Sequence, residues 1–297
     1  MKITTGRKVF LTVDVIFLLV VSLLCVLPFL NLLAISLSNK TAVSMGRVSF
    51  WPVEPTLSSY TFITNNSQFV KGLWVSIQRV ILGVSINLIL IVLTAYPLSK
   101  EKNEFRARSF FSWYFVATIL FGGGLIPTYL VVKNTGLMDT IWALVLPGAV
   151  PIFSMLVVMN YMRSLPKELN EAAYIDGATH MQTLFRIILP VSTPTIATVA
   201  LFAFVGHWNS WFDGLIYMQR VDHYPLQTYL QTVVIKPEVF FNSTANISEA
   251  LLSLLTLVDS RTTAAAQLFL GTVPILLVYP FLQKYFASGL VMGSVKG

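Results

Sequence analysis

Six long apolar runs divide this sequence, and each is long enough to cross a lipid bilayer as a helix. They cover about residues 12–37, 72–98, 109–132, 140–162, 191–218 and 265–286. A spanning helix needs roughly 20 mainly apolar residues, because the hydrocarbon core is about 30 Å thick. The runs fill most of the 297 residues, so we expect an all-α integral membrane protein with six transmembrane helices in a single domain, residues 1–297.

The Lys and Arg residues indicate how the spans are oriented. With the N-terminus in the cytosol, the inner segments contain more of them than the outer loops, as the positive-inside rule requires. The sequence therefore predicts cytosolic termini, a cytosolic loop over 163–190 and an outer loop over 219–262. This distribution accounts for the formal net charge of +7, so we do not expect nucleic acid as a partner.

The cytosolic loop contains EAAYIDGATHMQTLFRIILP, residues 171–190, a polar interruption between two apolar runs. It predicts two short helices, with Ser164 as cap of the first, Gly177 as its left-handed end and Thr179 as cap of the second. Small, apolar and acidic side chains on one short helix suit docking into a groove of a cytosolic partner. An ordinary loop helix lying on the lipid headgroups explains the same pattern.

This segment resembles the EAA loop of membrane subunits from ATP-binding-cassette (ABC) importers, whose pattern is E-A-A, three residues, G, nine residues, I-x-L-P. The matching positions are Glu171, Ala172, Ala173, Gly177, Ile187, Leu189 and Pro190. In that family the loop is the coupling helix, seated in a cleft of the ATPase subunit. The resemblance therefore implies an ATPase-coupling surface formed by Glu171, Ala172, Ala173, Tyr174, Ile175, Asp176 and Gly177.

The resemblance extends over nearly the whole chain. GGGLIPTYLVVKNTGLMDTIWALVLPGAV (Gly122–Val150) is similar to permeases for multiple sugars and polysaccharide fragments, and GLVMGSVKG (Gly289–Gly297) to the second membrane subunit of maltose-type importers. It implies a type I ABC importer fold, maltose-permease-like, in the bacterial inner (plasma) membrane. The implied partners are a second homologous permease subunit, two cytosolic ATP-binding-cassette subunits, an extracellular or periplasmic sugar-binding protein and membrane lipid.

The implied function is that of a permease subunit in an ATP-driven importer of oligosaccharides, neutral or acidic, such as alginate or pectin oligomers. No stretch fits the phosphate-binding pattern G-x-x-x-x-G-K-[ST]. We therefore expect no cofactor in this chain and no enzymatic activity, with ATP and Mg²⁺ bound by the partner ATPase. In that family an outer loop approaches the bound sugar, a role that would fall to Phe240, Phe241 and Asn242.

Two other function classes make different demands on the sequence. An ion-gradient-driven secondary carrier of sugars predicts an internal repeat and carboxylates near mid-membrane, and neither pattern stands out. A membrane-embedded enzyme or a metal site needs convergent His or carboxylate groups. His180, His207 and His223 instead fall in three different segments.

Polar residues in the second run suggest a substrate path. Ser76, Arg79, Gly83 and Asn87 lie at offsets of 0, 3, 7 and 11, which places them on one helical face. Polar groups inside a membrane are costly, so they mark either a path or contacts between helices. Arg79 and Asn87 are the candidates for the path, and the alternatives for Arg79 are structural pairing or snorkelling to the surface.

The fifth run ends in FVGHWNSWFDGLIYM, residues 204–218, where aromatic rings stand beside an amide and a carboxylate. Sugars present apolar C–H faces and hydroxyl groups, so this mixture suits a sugar path. The W-N-x-[FW] element resembles the same region of sugar permeases, and Trp208, Asn209, Trp211 and Asp213 are the candidates. A belt of interfacial Trp and Tyr residues is the alternative.

Glycine and proline predict weak points in two spans. Gly122, Gly123, Gly124 and Pro127 interrupt the third, and Pro147 and Pro151 the fourth. Such breaks serve either as hinges in a transporter or as static kinks satisfied by neighbouring helices.

Overall fold

The structure of the protein is a computed structural model that describes residues 4–235 and 259–293. Every regular element in this part of the chain is helical, so the predicted all-α class is confirmed there. The outer-loop candidates Phe240, Phe241 and Asn242 lie outside the described residues.

The α-helices of the described residues are α1 (Thr5–Ser36), α2 (Lys40–Ser44), α3 (Ser58–Asn65), α4 (Ser67–Ser99), α5 (Arg108–Leu120), α6 (Leu125–Asn134), α7 (Ile141–Val145), α8 (Ile152–Ser164), α9 (Glu168–Ile175), α10 (His180–Thr183), α11 (Leu189–Val191), α12 (Thr193–Asn209), α13 (Phe212–Tyr217), α14 (Leu226–Ile235) and α15 (Ser260–Gly293).

Within residues 4–235 and 259–293, three helices are long and apolar enough to cross a bilayer unbroken. They are Gly6–Ser36 within α1, the whole of α4, and Ser260–Pro280 within α15. Three bent pairs pass the same test when each pair counts as one span: Arg108–Leu120 with Leu125–Asn134, Ile141–Gly148 with Ile152–Ser164, and His180–Val191 with Thr193–Asn209. The six apolar runs therefore correspond to three unbroken spans and up to three broken ones.

Each broken span has a local cause. The bend of 113° between α5 and α6 follows the glycine run, where Gly124 adopts a left-handed φ of 82°. The bend of 48° before α8 falls at Pro151, which has no N–H to continue a helix. Both breaks lie where the sequence predicts weak points.

The fifth span is more interrupted than its sequence predicts. A bend of 81° separates α11 from α12 at Ser192, and Ser210 ends α12 before α13 begins. Proline flanks the first break on both sides, at Pro190 and Pro194. The predicted run over 191–218 thus contains α12 and α13 with a break at Ser210, while the proline rings at 190 and 194 remove hydrogen bonds that would join α11 to α12.

The chain forms two compact units. Of the described residues, the first contains 4–70, 230–235 and 259–273, and the second contains 71–229 and 274–293. In the first unit, the hydroxyl groups of Ser36 and Tyr60 lie 2.7 Å apart. The most apolar stretch of α1, 18 residues long, buries none of its side chains against the described part of the chain, and burial begins only near the end of the helix, at Ala34. A helix that is apolar all round and uncovered suits lipid or a neighbouring membrane helix.

The core of the second unit joins α4, α8 and α12. Its buried side chains are Ile91, Val92, Ala95, Tyr96, Leu98, Met155, Val158, Met159, Met162, Leu184, Ile188 and Val199. The segment 165–192 connects α8 to α12, so both of its ends enter this core. Leu184 and Ile188 therefore pack the segment against the same helices to which it is joined in sequence.

Candidate coupling surface and substrate path

The segment 165–192 begins with α9, whose end is fixed by a Schellman motif. Gly177 adopts a left-handed φ of 75°. The N–H of Gly177 donates to the carbonyl of Tyr174 at 3.0 Å, and that of Ala178 to the carbonyl of Ala173 at 2.9 Å. The predicted helix end at Gly177 is therefore confirmed. A non-glycine residue would be strained in this backbone conformation.

Of the two N-terminal caps predicted for this segment, the one at Thr179 is present and the one at Ser164 is not. Thr179 and Gln182 form a reciprocal capping box at the start of α10, as the sequence predicts for Thr179. Ser164 does not cap α9, because its hydroxyl donates to the carbonyl of Tyr161 at 2.8 Å and α9 begins only at Glu168. The N-terminal turn of α9 instead carries Glu168 and Glu171, whose negative charge suits that end of a helix dipole.

Most of α9 is presented to the surroundings. Ala173 is its one buried residue, with 3% of its surface exposed, and it packs the helix onto the unit. Glu171 and Ala172 are exposed, and Ile175 is 86% exposed. An exposed isoleucine beside a small residue and a carboxylate is what a helix needs to dock into a partner's groove.

The side of α9 that faces the chain is held by Lys100, which follows the C-terminus of α4. Its ammonium nitrogen donates to Asn170 Oδ1 at 2.7 Å and to the hydroxyl of Tyr174 at 3.0 Å. The same nitrogen lies 4.7 Å from the ring centroid of Tyr96, within the range of a cation–π contact. Lys100 is only 9% exposed, although the sequence places it among ordinary cytosolic charges.

Two further contacts join the end of α4 to the segment and to the end of α8, which precedes it. Lys167 pairs with Glu101, which lowers the pKa of the Glu101 carboxyl and raises the pKa of the Lys167 ammonium group. Arg163 donates to the carbonyl of Leu98 at 3.1 Å. Sequence analysis missed these contacts, since their only signal is a run of charges directly after an apolar span.

A buried turn leads from the segment into α12. Residues Leu184–Ile188 form a π-helical turn, in which Leu184 and Ile188 are buried in the core of the second unit. A π-helical turn holds one more residue than an α-helical turn, and such turns often occur at functional sites. The segment 165–192 is therefore exposed at α9 and anchored in the core where it enters α12.

The polar stripe of α4, formed by Ser76, Arg79, Gly83 and Asn87, packs against other parts of the protein. Two of these side chains donate hydrogen bonds to backbone carbonyls at helix breaks. Arg79 donates to the carbonyl of Ser210, the break between α12 and α13, at 3.1 Å. Asn87 Nδ2 donates to the carbonyls of Gly148 and Ala149 at 3.1 and 2.8 Å, beside the break at Pro151. Backbone groups freed inside a membrane need partners of this kind.

The remaining stripe residues also make close contacts. Ser76 Oγ accepts a hydrogen bond from the N–H of Leu226, the first residue of α14, at 2.8 Å. His207 Nε2 lies 2.9 Å from Asn87 Oδ1, and its ring lies against Gly83. The stripe thus links α4 to four separate pieces of the chain.

Arg79 and Asp213 form a bidentate ion pair. Arg79 Nη1 donates to Asp213 Oδ1 at 3.1 Å and Nη2 pairs with Oδ2, while Ser210 Oγ donates to Oδ1 at 2.9 Å. Arg79 is 3% exposed, so it does not snorkel within this chain. Structural pairing, one alternative left open by the sequence, is therefore present.

The other path candidates divide into buried and exposed. Trp208 is buried and stacks on Phe204, with ring centroids 6.3 Å apart. Asn209 and Trp211 are exposed at the break after α12. The structure therefore brings Arg79 and Asp213 together and leaves Asn209 and Trp211 accessible. Substrate contact by any of these residues stays a prediction.

A polar cluster between α6 and α7 has no counterpart in the sequence analysis. Asp139 adopts a left-handed φ of 60° and accepts hydrogen bonds from the backbone N–H groups of Gln219 and Arg220 at 3.0 and 3.3 Å. Burial opposes ionisation of this carboxyl, but these bonds and His223 outweigh it, so the pKa of Asp139 lies below its ordinary value. A small cavity of about 150 Å³ adjoins Asp139 and His223.

Among the described residues, no group of three or more His, Cys, Asp or Glu side chains is placed to bind a metal ion. Several apolar helices of this chain are broken, and the exposed helix α9, which bears the EAA motif, lies between two of them. These features define a multi-pass membrane permease. The chain belongs to the family of binding-protein-dependent transport system inner membrane components, whose sequence profile matches residues 3–291.

Individual relatives cover almost the full length. The chain is 37% identical to protein LplC of Bacillus subtilis over 99% of its own length and 97% of that protein. It is 36% identical to the polygalacturonan/rhamnogalacturonan transport system permease protein YtcP of the same organism, over 95% of this chain and 96% of that one.

Solved structures give the same picture of the fold. A chain from a bacterial ABC transporter involved in the import of the acidic polysaccharide alginate superimposes with a TM-score of 0.85 and 28% identity, covering 96% of this chain and 99% of that chain. A second alginate transporter chain, in complex with an alginate pentasaccharide-bound periplasmic protein, has a TM-score of 0.56 and 15% identity over 93% of each chain. The second likeness concerns the fold alone.

Proposed function

We propose that this chain is one permease subunit of an ATP-driven, binding-protein-dependent importer of oligosaccharides in the bacterial inner membrane, with both termini cytosolic. A second homologous permease completes the path, and two cytosolic ATPase subunits bind ATP and Mg²⁺. An external binding protein delivers the sugar. The observation that carries the proposal is α9, which bears the EAA motif, exposes Glu171 and Ile175, and is anchored through Ala173.

The substrate class is an acidic oligosaccharide. Support comes from two relatives, a polygalacturonan/rhamnogalacturonan permease and a permease chain of an alginate importer. Arg79 is already paired with Asp213, so it is not the group that we expect to meet a uronate carboxylate. Asn209 and Trp211, exposed beside the break after α12, are the proposed contacts with the sugar.

The mechanism follows from the connections of α9. ATP-driven closure of the partner subunits moves the docked helix, and the core around Leu184 and Ile188 carries this movement into α8 and α12. The helix breaks at Gly124, Pro151 and Ser192 act as the hinges that let each half of a span move separately.

The test is ATP hydrolysis by the complete complex in lipid nanodiscs, with the cognate binding protein and a panel of neutral and acidic oligosaccharides. Glu171→Lys is compared with Glu168→Lys, a matched control that places the same charge in the same helical turn outside the motif. We expect an acidic oligosaccharide to stimulate hydrolysis in the native and control complexes, and Glu171→Lys to abolish the stimulation. Equal stimulation in all three would refute coupling through α9, and stimulation by neutral sugars alone would refute the substrate class.

A further inference from the structure

Lys100 occupies an unusual place for a lysine that follows a membrane span. Such lysines normally extend into water or towards headgroups. Lys100 instead turns onto the chain and is 9% exposed. An ammonium group removed from water needs compensating partners, and it finds them in Asn170, Tyr174 and the ring of Tyr96, with the carboxylate of Glu104 at 3.9 Å in the loop after α4.

The partners of Lys100 come from two elements that the chain does not join directly. Tyr96 belongs to α4, whereas Asn170 and Tyr174 belong to α9, 70 and 74 residues away from Lys100 in sequence. The segment 165–192 is continuous with α8 and α12, so these two helices follow α9 through covalent bonds. No covalent connection of this kind makes α4 follow α9.

We propose that Lys100 is a positioning residue that fastens the coupling helix α9 to α4, so that movement of α9 on ATP binding is transmitted to α4. This inference rests on the proposed function, since it assumes that α9 receives the movement of a partner ATPase. Glu101, paired with Lys167 directly before α9, strengthens the same connection, whereas the Leu98 carbonyl, bonded to Arg163, joins α4 to the end of α8. Lys100 makes the only one of these attachments that reaches α9 itself.

Movement of α4 matters because two of its side chains bond to the backbone at helix breaks. Arg79 and Asn87 hold the backbone at two helix breaks, at Ser210 and at Gly148–Ala149. A movement of α4 therefore reaches the break beside Asn209 and Trp211, the proposed sugar contacts. The structure thus provides a second route from α9 to the substrate path, in addition to the route through the core of α8 and α12.

The variant Lys100→Met removes the ammonium group and keeps an unbranched apolar side chain. Its matched control is Lys102→Met, which removes the same charge from the same loop at an exposed position. Asn170→Leu removes one acceptor of the Lys100 ammonium, and Asn170→Asp preserves an oxygen acceptor there. All four variants are studied in the complete complex in nanodiscs, with subunit stoichiometry measured first.

The deciding measurement is backbone hydrogen exchange with and without a non-hydrolysable ATP analogue, in residues 168–178 of the coupling segment and 99–108 after α4. We expect the analogue to change exchange in both segments in the native, Lys102→Met and Asn170→Asp complexes. In Lys100→Met and, to a smaller extent, Asn170→Leu, only 168–178 is expected to respond. Stimulation of ATP hydrolysis by the loaded binding protein is expected to fall at least about fivefold in Lys100→Met, the lower end of typical coupling between two sites.

The outcomes separate the two proposals. A response of both segments in Lys100→Met, with native stimulation, would overturn the role of Lys100 while leaving the proposed function intact. No response of 168–178 in the native complex, and no stimulation by any sugar, would overturn the proposed function itself. If Lys100→Met does not assemble, Asn170→Leu against Asn170→Asp decides the matter, because a native response in both would overturn the attachment.

Discussion

Gly83 of α4 lies directly against the imidazole ring of His207 in α12. A Cβ atom at position 83 would lie 2.5 Å from Cε1 of His207 and 2.7 Å from Cδ2. His207 cannot move away without losing its contact with Asn87 Oδ1 at 2.9 Å. Only glycine therefore allows the two helices to approach this closely, as small residues do between membrane helices.

Gly83→Ala is expected to destabilise the protein by about 1–3 kcal/mol, the usual cost of overpacking. The measurement is the thermal unfolding midpoint of the purified complex. Gly206→Ala, beside His207 in sequence, is the control, because a Cβ there meets nothing within 4 Å. A second His207→Ala substitution should recover much of the loss, and an unchanged midpoint in Gly83→Ala alone would contradict the packing described here.

The ion pair of the buried Arg79 and the half-buried Asp213 is expected to be costly to break from one side. Arg79→Met leaves Asp213 without its charged partner, and because Asp213 keeps some access to solvent the loss should stay below the roughly 3–5 kcal/mol typical of a fully buried pair. The double variant Arg79→Met/Asp213→Leu should be closer to native in its unfolding midpoint. Lys71→Met, which removes one partner of a solvent-accessible pair with Asp222, is the control and should shift stability by about 1 kcal/mol or less.

Gly177 is expected to tolerate asparagine better than alanine. Its left-handed φ of 75° costs an alanine about 1–2 kcal/mol, whereas asparagine adopts this conformation more readily. Gly177→Ala should therefore loosen the end of α9, seen as faster hydrogen exchange in residues 168–178 and weaker stimulation of ATP hydrolysis. Equal exchange in the alanine and asparagine variants would show that the backbone conformation at Gly177 is not what holds the helix end.

Asp139 is expected to give the stability a dependence on acidic pH. Because its pKa is lower when folded than the usual value of about 3.9, it stabilises the fold above that value. This contribution is lost as the pH falls through the folded pKa. The difference in unfolding midpoint between the native protein and Asp139→Asn should therefore be largest near pH 6 and shrink below about pH 4.

Asparagine suits this test because it also accepts the left-handed backbone of position 139. Since His223 contacts Asp139, the comparison is repeated in a His223→Asn background to separate the two groups. Parallel curves for the native protein and Asp139→Asn over the whole pH range would contradict the assignment.

Much of the membrane fold and of the coupling segment is predictable from the sequence. The apolar runs, the glycine-proline break before α6, the end of α9 at Gly177 and the capping box at Thr179 all depend on residues close together in the chain. The cap at Ser164 was predicted wrongly, since its hydroxyl bonds back to the carbonyl of Tyr161 and α9 begins only at Glu168. The break at Ser192 was missed although Pro190 and Pro194 flank it, and the break at Ser210 was missed because no proline or glycine lies directly beside it.

The sequence by itself determined that this chain is a membrane protein with an exposed EAA segment, because hydrophobic length and turn residues act locally. Only the tertiary structure decided which polar side chains meet. Arg79 pairs with Asp213 across 134 residues, and Lys100 reaches Asn170 across 70. Such pairs depend on how helices pack, since a buried charge takes whatever partner the fold brings within hydrogen-bonding distance. A single sequence contains no signal for that choice.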